Sequence, residues 1–564
     1  MVRAILAPAL VAGLFMSAPS VAAQRCPAPV DPYDSGGRLD PEEAVYDVEF
    51  YDLAVRVDPG ERSIAGRLDL HARMTGPAAT VALDLDTLLD IESITPVGDS
   101  GILPVERCGG RVRVSLRRTF QPGERLALRV RYAGRPRVAP RPPWDGGFTW
   151  ARTRSGAPWI ATSNQMLGAD VWWPVKDHIS DKPDSLALSV TAPAALVVAA
   201  NGRLRGVDSA AGGTRTWRWF VSTPISTYNV ALNIAPYRSI DTVVPSVAGD
   251  SIPVSFYVLE EDYDRGRALF PQILAHLAWY ERRLGPYAFR ADKYGVAQTP
   301  HLGMEHQSII AYGANFSNRS MTGGVDWGFD ALHHHELSHE WWGNLVTNAD
   351  WKDMWLHEGF GSYMQVLWVE DTQGPERARE YLRGMLGGMG NRRPMAPREA
   401  TSAKDIYAGH DIYNKGAWVL HTLRWLIGDD VFFRSLRRMA YPDSALARTT
   451  DGRAVRFADT RDFQTIVEEE SGRPLDWFFE VYAHQAPLPR LREARSGDSL
   501  VLSWETGGGQ PFPLPVEIAV GAETRRVDLP GGRAVVPAPA GAEIRVDPRG
   551  WLLRARAAEA RPVR

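Results

Sequence analysis

From Tyr46 the text YDVEFYDLAVRVD alternates apolar and polar residues, and SIAGRLDLHARM, RVRVSLRR and ERLALRVRYAG repeat the alternation at short intervals with Gly and Pro between them. Side chains on a strand point alternately to opposite faces, so this pattern predicts an all-β region. It continues past RPRVAPRPPWDGG through SLALSVTAP and TYNVALNIAPY, which places the end of a first β domain near residue 245. From about Asp262 the period changes. YDRGRALFPQILAHLAWYERRLG sets apolar residues three and four apart and stops at Gly285-Pro286, the signature of a helix with one buried face. Helices then dominate to about residue 485, and SLVLSW, PLPVEIAV, RRVDLP and AEIRVDP predict a small C-terminal β-sandwich. The expected organisation is an N-terminal β domain over 24–245, an α+β domain over 246–486 and a C-terminal β domain over 487–564.

A chain of 564 residues exceeds what one core can organise, in keeping with several domains. With 44% hydrophobic residues, 23% charged residues and a formal net charge of −3, nothing calls for nucleic acid or an acidic membrane surface as partner. The first 23 residues change the picture. Arg3, the apolar run Ile5 to Met16 and the small residues Val21-Ala22-Ala23 read as a secretory signal, so the protein is expected to be exported, periplasmic or extracellular, with no membrane span after cleavage. The only two cysteines, Cys26 and Cys108, are compatible with one disulfide or two free thiols, and their spacing excludes cysteine metal and redox motifs.

The candidate chemistry lies in ALHHHELSHEWWGNLVTNADWKDMWLHEGFGSYM, residues 331–364. It contains His335-Glu336-Leu337-Ser338-His339, an HExxH motif. On a helix, residues four apart share a face, so both imidazoles can reach one cation while Glu336 points beside it. A catalytic zinc takes three protein ligands and keeps one position open, and Glu358 in MWLHEGF offers the third after enough chain for a return and a facing helix. His333 and His334 complete no second motif and read as packing residues.

HELSHEWWGN and WLHEGF, with LGMEHQ about 30 residues upstream, resemble the zinc segments and the G-A-M-E-N exopeptidase motif of the peptidase family M1 zinc aminopeptidases, the gluzincins of the aminopeptidase N and leukotriene-A hydrolase type. The resemblance runs from Tyr46 to about Ala486. It implies an N-terminal β-sandwich or saddle domain, a thermolysin-like zincin catalytic domain and one Zn2+ held by His335, His339 and Glu358. It also implies that Glu336 is the general base for a zinc-activated water, that Glu305 binds the free α-amino group of a peptide, and that Gly303 and Met304 hold the peptide backbone as an edge strand. IYNKGAWVLHTLR is similar to the segment that supplies a catalytic tyrosine, which puts oxyanion binding on Tyr413. Gln165, nine residues before Pro174, matches a Gln or Glu that also contacts the substrate amine. His306 departs from the family's asparagine, and only a short β domain follows residue 486 where larger members continue into a long helical domain.

The function this implies is zinc-dependent removal of N-terminal residues from peptides with a free N-terminus, with self-association left open. Two other readings are an endopeptidase or epoxide hydrolase on the same zinc site, and a non-catalytic peptide-binding relative.

Overall fold

The computed structural model describes residues 35–539 and 541–555. The signal reading of residues 1–23 and Cys26 fall outside them. Cys108 is disulfide-bonded, and Cys26 is the only other cysteine in the sequence.

The alternating segments form strands as expected. Tyr46–Asp58 and Ser63–Met74 pair antiparallel at the centre of a seven-stranded sheet, with Ser185–Pro193 parallel on the other side of Tyr46–Asp58. Leu53, Val55, Leu68, Leu70, Leu186 and Leu188 turn inward from this sheet. A four-stranded sheet carries Gly147–Arg152 and Pro158–Ser163, and the latter delivers Asn164 and Gln165 to the border with the helical region.

The region that follows is built on a mixed sheet. Tyr237–Pro245 pairs antiparallel with Ser251–Leu259, which runs parallel to Tyr294–Gln298, which runs parallel to Ile310–Tyr312. The pattern-read segment TYNVALNIAPY yields Leu232–Ala235, which pairs within the first region's four-stranded sheet, whereas Tyr237–Pro245, just before the expected boundary at 245, pairs with the strand just after it. The pattern could not show this, because a strand looks the same whichever sheet it joins. Beyond Ile310–Tyr312 the chain at Met304 makes one antiparallel bridge to Ala311, with Ala311 N–H donating to Met304 O at 3.0 Å. Helix Tyr263–Leu284 covers the sheet with Phe270, Ile273, Leu277 and Tyr280, and ends where Gly285 adopts φ +114° and returns its N–H to Glu281 O.

After residue 489 two three-stranded sheets follow, one containing Arg490–Ser496 and Ser499–Glu505, the other centred on Val516–Val520. Their apolar residues share one core with the helices of the preceding region. The segment after their last strand buttresses helix Gly416–Ile427 from behind: Thr422 Oγ1 donates to Trp551 O and accepts from Leu553 N–H, and His421 stacks on Trp551. Among the described residues no helix is long and apolar enough to cross a membrane, and no long helical region follows residue 482.

Candidate metal and peptide site

Helix Ala331–Ser338 is buried on every side, so it carries no amphipathic signal and only its motif marks it in the sequence. Asp330 caps it, accepting from His333 N–H at 3.0 Å. His339 is the residue that ends the helix; its backbone stays helical (φ −69°, ψ −14°), so it keeps the i, i+4 relation to His335. The helix thus stops at Ser338. Glu358 sits in the first turn of helix Trp355–Gln373, which returns against the first.

These three side chains converge. His335 Nε2 and His339 Nε2 are 3.3 Å apart, and Glu358 Oε2 lies 3.2 Å from the first and 3.5 Å from the second. Ligand bonds of 2.0–2.2 Å in a tetrahedron put donor atoms about 3.3–3.6 Å apart, so the three atoms already stand close to the corners of a zinc polyhedron. His339 Nδ1 faces Trp342 O at 2.9 Å, which fixes the proton there and leaves the Nε2 lone pair for a cation. The surrounding charge also calls for one. Burial works against an imidazolium, yet the hydrogen bond and charge of Glu358, with Glu305 and Glu336 behind it, push His339 up to about 10. A pocket of three buried carboxylates is short of positive charge, which one divalent ion supplies.

Glu336 is buried beside this group, and burial above all raises its carboxyl. A Cβ on Gly303 would fall 2.1 Å from Glu336 Oε1, so only glycine lets the edge segment run alongside this acid. Ligand atoms of Glu305, Glu336 and His339 lie within 4.8 Å of one another. Glu305 Oε1 accepts from Gln165 Nε2 at 2.5 Å and from Tyr228 Oη at 3.2 Å. Gln165 comes from the N-terminal β domain and Glu305 from the helical region, so the site spans their junction. Asn344 Nδ2 donates to Glu305 O and holds the backbone of this segment against the turn after His339.

Tyr413 lies in a widened π-helical turn, Asp411–Lys415, and its hydroxyl donates to Glu358 Oε1 at 3.0 Å. Two glycines allow this approach. A Cβ on Gly416 would stand 2.7 Å from Gly359 Cα, and one on Gly359 would stand 2.9 Å from Gly416 Cα, so the backbones cross in contact next to Tyr413 and Glu358. Gly416→Ala is expected to lower stability by about 1–3 kcal/mol through overpacking and, by pushing Tyr413 off its line, to cut turnover about 10- to 100-fold. Thermal unfolding and steady-state rates measure the two effects, and an unchanged turnover would show that the crossing does not set the tyrosine's position.

The residues proposed from the sequence for metal, base, amine and oxyanion therefore lie in one cluster, buried except for the half-buried Tyr413. Pattern reading missed Tyr228 and Tyr407, whose hydroxyls contact Glu305 and Glu358. Lone tyrosines in a loop and a short helix give no signal of that kind. His306, the departure from the motif, is buried with neither ring nitrogen partnered by protein. His333 is indeed a packing residue, bonded to Tyr294 Oη at 2.6 Å and to His276.

Residues 278–482 match the peptidase family M1 domain. The chain is similar to an M1 zinc metallopeptidase from Deinococcus radiodurans solved with a Tyr-Ser-Ala substrate, at 25% identity and a TM-score of 0.62, covering 78% of this chain and 95% of that one. It is similar to aminopeptidase N of Streptomyces lividans, at 25% identity over 57% of this chain and 39% of the relative. It also matches the mouse endoplasmic reticulum aminopeptidase 1, at 25% identity over 38% of this chain and 24% of the relative. The match thus spans well under half the length of these curated relatives.

Proposed function

The catalytic region of this chain belongs to peptidase family M1, and from that premise we propose that the protein is a zinc-dependent aminopeptidase that hydrolyses the first peptide bond of peptides with a free N-terminus. The observation that carries this reading is the distance between two acids with different tasks. Glu305, flanked by Gln165 and Tyr228, stands within 4.8 Å of Glu336 and His339. In a peptide the α-amino nitrogen and the first carbonyl carbon are only about 2.5 Å apart. An ammonium anchored on Glu305 therefore leaves the first peptide bond, and no later one, beside Glu336.

His335, His339 and Glu358 would hold the zinc, which when bound polarises the scissile carbonyl and makes water acidic enough to attack at neutral pH. Glu336 takes the proton of the attacking water and returns it to the departing amine, so its oxygen must face both, as the glycine at 303 permits. Tyr413 turns its hydroxyl from Glu358 to the carbonyl oxygen as negative charge builds there; its raised pKa, from burial and then from Glu358, keeps it a neutral donor. The edge at Gly303 and Met304 binds the peptide backbone by strand addition. Export is part of the same proposal, supported by the N-terminal leader pattern and by the disulfide at Cys108.

The test uses one peptide, free and N-acetylated, with and without a chelator, and reads the products by mass spectrometry. Stepwise shortening of the free form alone, abolished by the chelator, is expected. Internal cleavage, or cleavage of the acetylated form, would sink the exopeptidase reading.

A further inference from the structure

Glu358 uses its two oxygens for different purposes. Oε2 faces His335 and His339, whereas Oε1 faces two phenols: Tyr407 Oη at 2.9 Å and Tyr413 Oη at 3.0 Å. A carboxylate oxygen accepts from two donors, and here both are phenols from the same stretch of chain. If Tyr413 swings to the substrate's carbonyl oxygen during reaction, the oxygen it leaves is buried, and a buried carboxylate oxygen without a donor is costly.

Tyr407 is placed to remain. It follows the short helix Ala403–Ile406, whose start is tied to the N-terminal strap: Ala403 N–H donates to Ser35 O, and Gly37 N–H to Thr401 O. Its ring meets Trp351 edge-on at 6.3 Å, and Trp351 in turn packs on Tyr228, with Gly36 against its indole. Tyr407 is thus wedged into the wall on the amine-binding side, next to Tyr228 and Glu305. Tyr413 instead stacks over the His335 ring at 6.1 Å.

We propose that Tyr407 is a positioning residue that holds Glu358 Oε1 throughout the catalytic cycle, keeping Oε2 aimed at the metal while Tyr413 leaves for the oxyanion. This rests on the aminopeptidase reading only for the role of Tyr413; the hold on the ligand stands without it. Partners that orient a metal-bound carboxylate are worth about 10- to 100-fold in metal affinity.

The experiment measures zinc affinity of the full-length protein by competition with a chelator, for wild type, Tyr407→Phe, Tyr413→Phe and the double variant, with melting temperatures alongside. Phenylalanine keeps the ring against Trp351 and removes only the hydroxyl. Tyr407→Phe is expected to weaken zinc about tenfold or more, and, once saturated with zinc, to lower kcat about tenfold with KM unchanged. The double variant is expected to bind zinc at least a further tenfold more weakly than Tyr413→Phe, in which Tyr407 is the remaining donor. Zinc affinity of Tyr407→Phe within twofold of wild type would overturn the proposal, as would a double variant equal to Tyr413→Phe. A wild type that binds zinc but cleaves no peptide would defeat the aminopeptidase reading instead, and the affinity comparison would still decide the role of Tyr407.

Discussion

Glu336→Gln is expected to lower kcat by about 10³-fold while zinc content and KM stay near wild type. The amide has the shape of the carboxyl and fits the same slot against Gly303, where space is tightest. It cannot accept a proton. General acid–base catalysis by a positioned side chain supplies about 10²–10⁴ in rate, and here one residue serves both the attacking water and the leaving amine. The metal should stay, because the three facing donors are His335, His339 and Glu358, and Glu336 is not among that set. Substrate binding should stay as well, since the ammonium is anchored by Glu305 and the backbone by the edge at Met304. Metal analysis and steady-state kinetics on the same preparation test this. A fall of less than tenfold, or loss of zinc, would move the base to another residue.

The parts of this site legible in the sequence were those governed by short-range geometry. His335, Glu336 and His339 are fixed by one turn of helix, and Glu358 is placed by the first turn of the next one, so spacing alone predicted their meeting. Gln165 and Glu305 lie 140 residues apart and on different domains, yet they share a hydrogen bond. No local rule links them, and only the motif resemblance pointed to both. Tyr407 and Tyr228 illustrate the limit more plainly. Their roles depend on where loops are pinned, by the strap at Ser35–Gly37 and by the indole of Trp351, and neither pin has a local pattern. The same holds for Gly359 and Gly416, whose contact across two helices is invisible until both helices are placed. Strand identity was read correctly along most of the β regions because alternation reports one buried face. Sheet membership is not reported by alternation, which is why the boundary expected at 245 separates Tyr237–Pro245 from the strand it pairs with.

The second large effect falls on Glu305. Removing one member of a buried charge pair costs about 2–5 kcal/mol, so Glu305→Ala should lower kcat/KM on free peptides by about 10²–10³-fold. It should barely change the slow cleavage of acetylated ones, and the preference for a free amine should largely vanish. The pH dependence carries a second signature. Burial, opposed by the charge of His339 and assisted by that of Glu358, pushes the Glu305 carboxyl up to about 7. Below its pKa the acid is protonated and neutral, and it loses its attraction for an ammonium. Affinity for an amino acid product should therefore rise with pH as Glu305 ionises, hold on a plateau, and fall once the ligand's own amine gives up its proton. With zinc in place the acid limb lies at or below 7, because a nearby cation favours the carboxylate. Inhibition by the product reports this contact without the proton transfer that Glu336 performs, so the two acids are separated by choice of measurement. In Glu305→Gln the acid limb should disappear while the alkaline limb, which belongs to the ligand, remains. An acid limb that survives the substitution would assign the amine contact to a different group, and Gln165 with Tyr228 would then have to hold the ammonium by neutral hydrogen bonds alone.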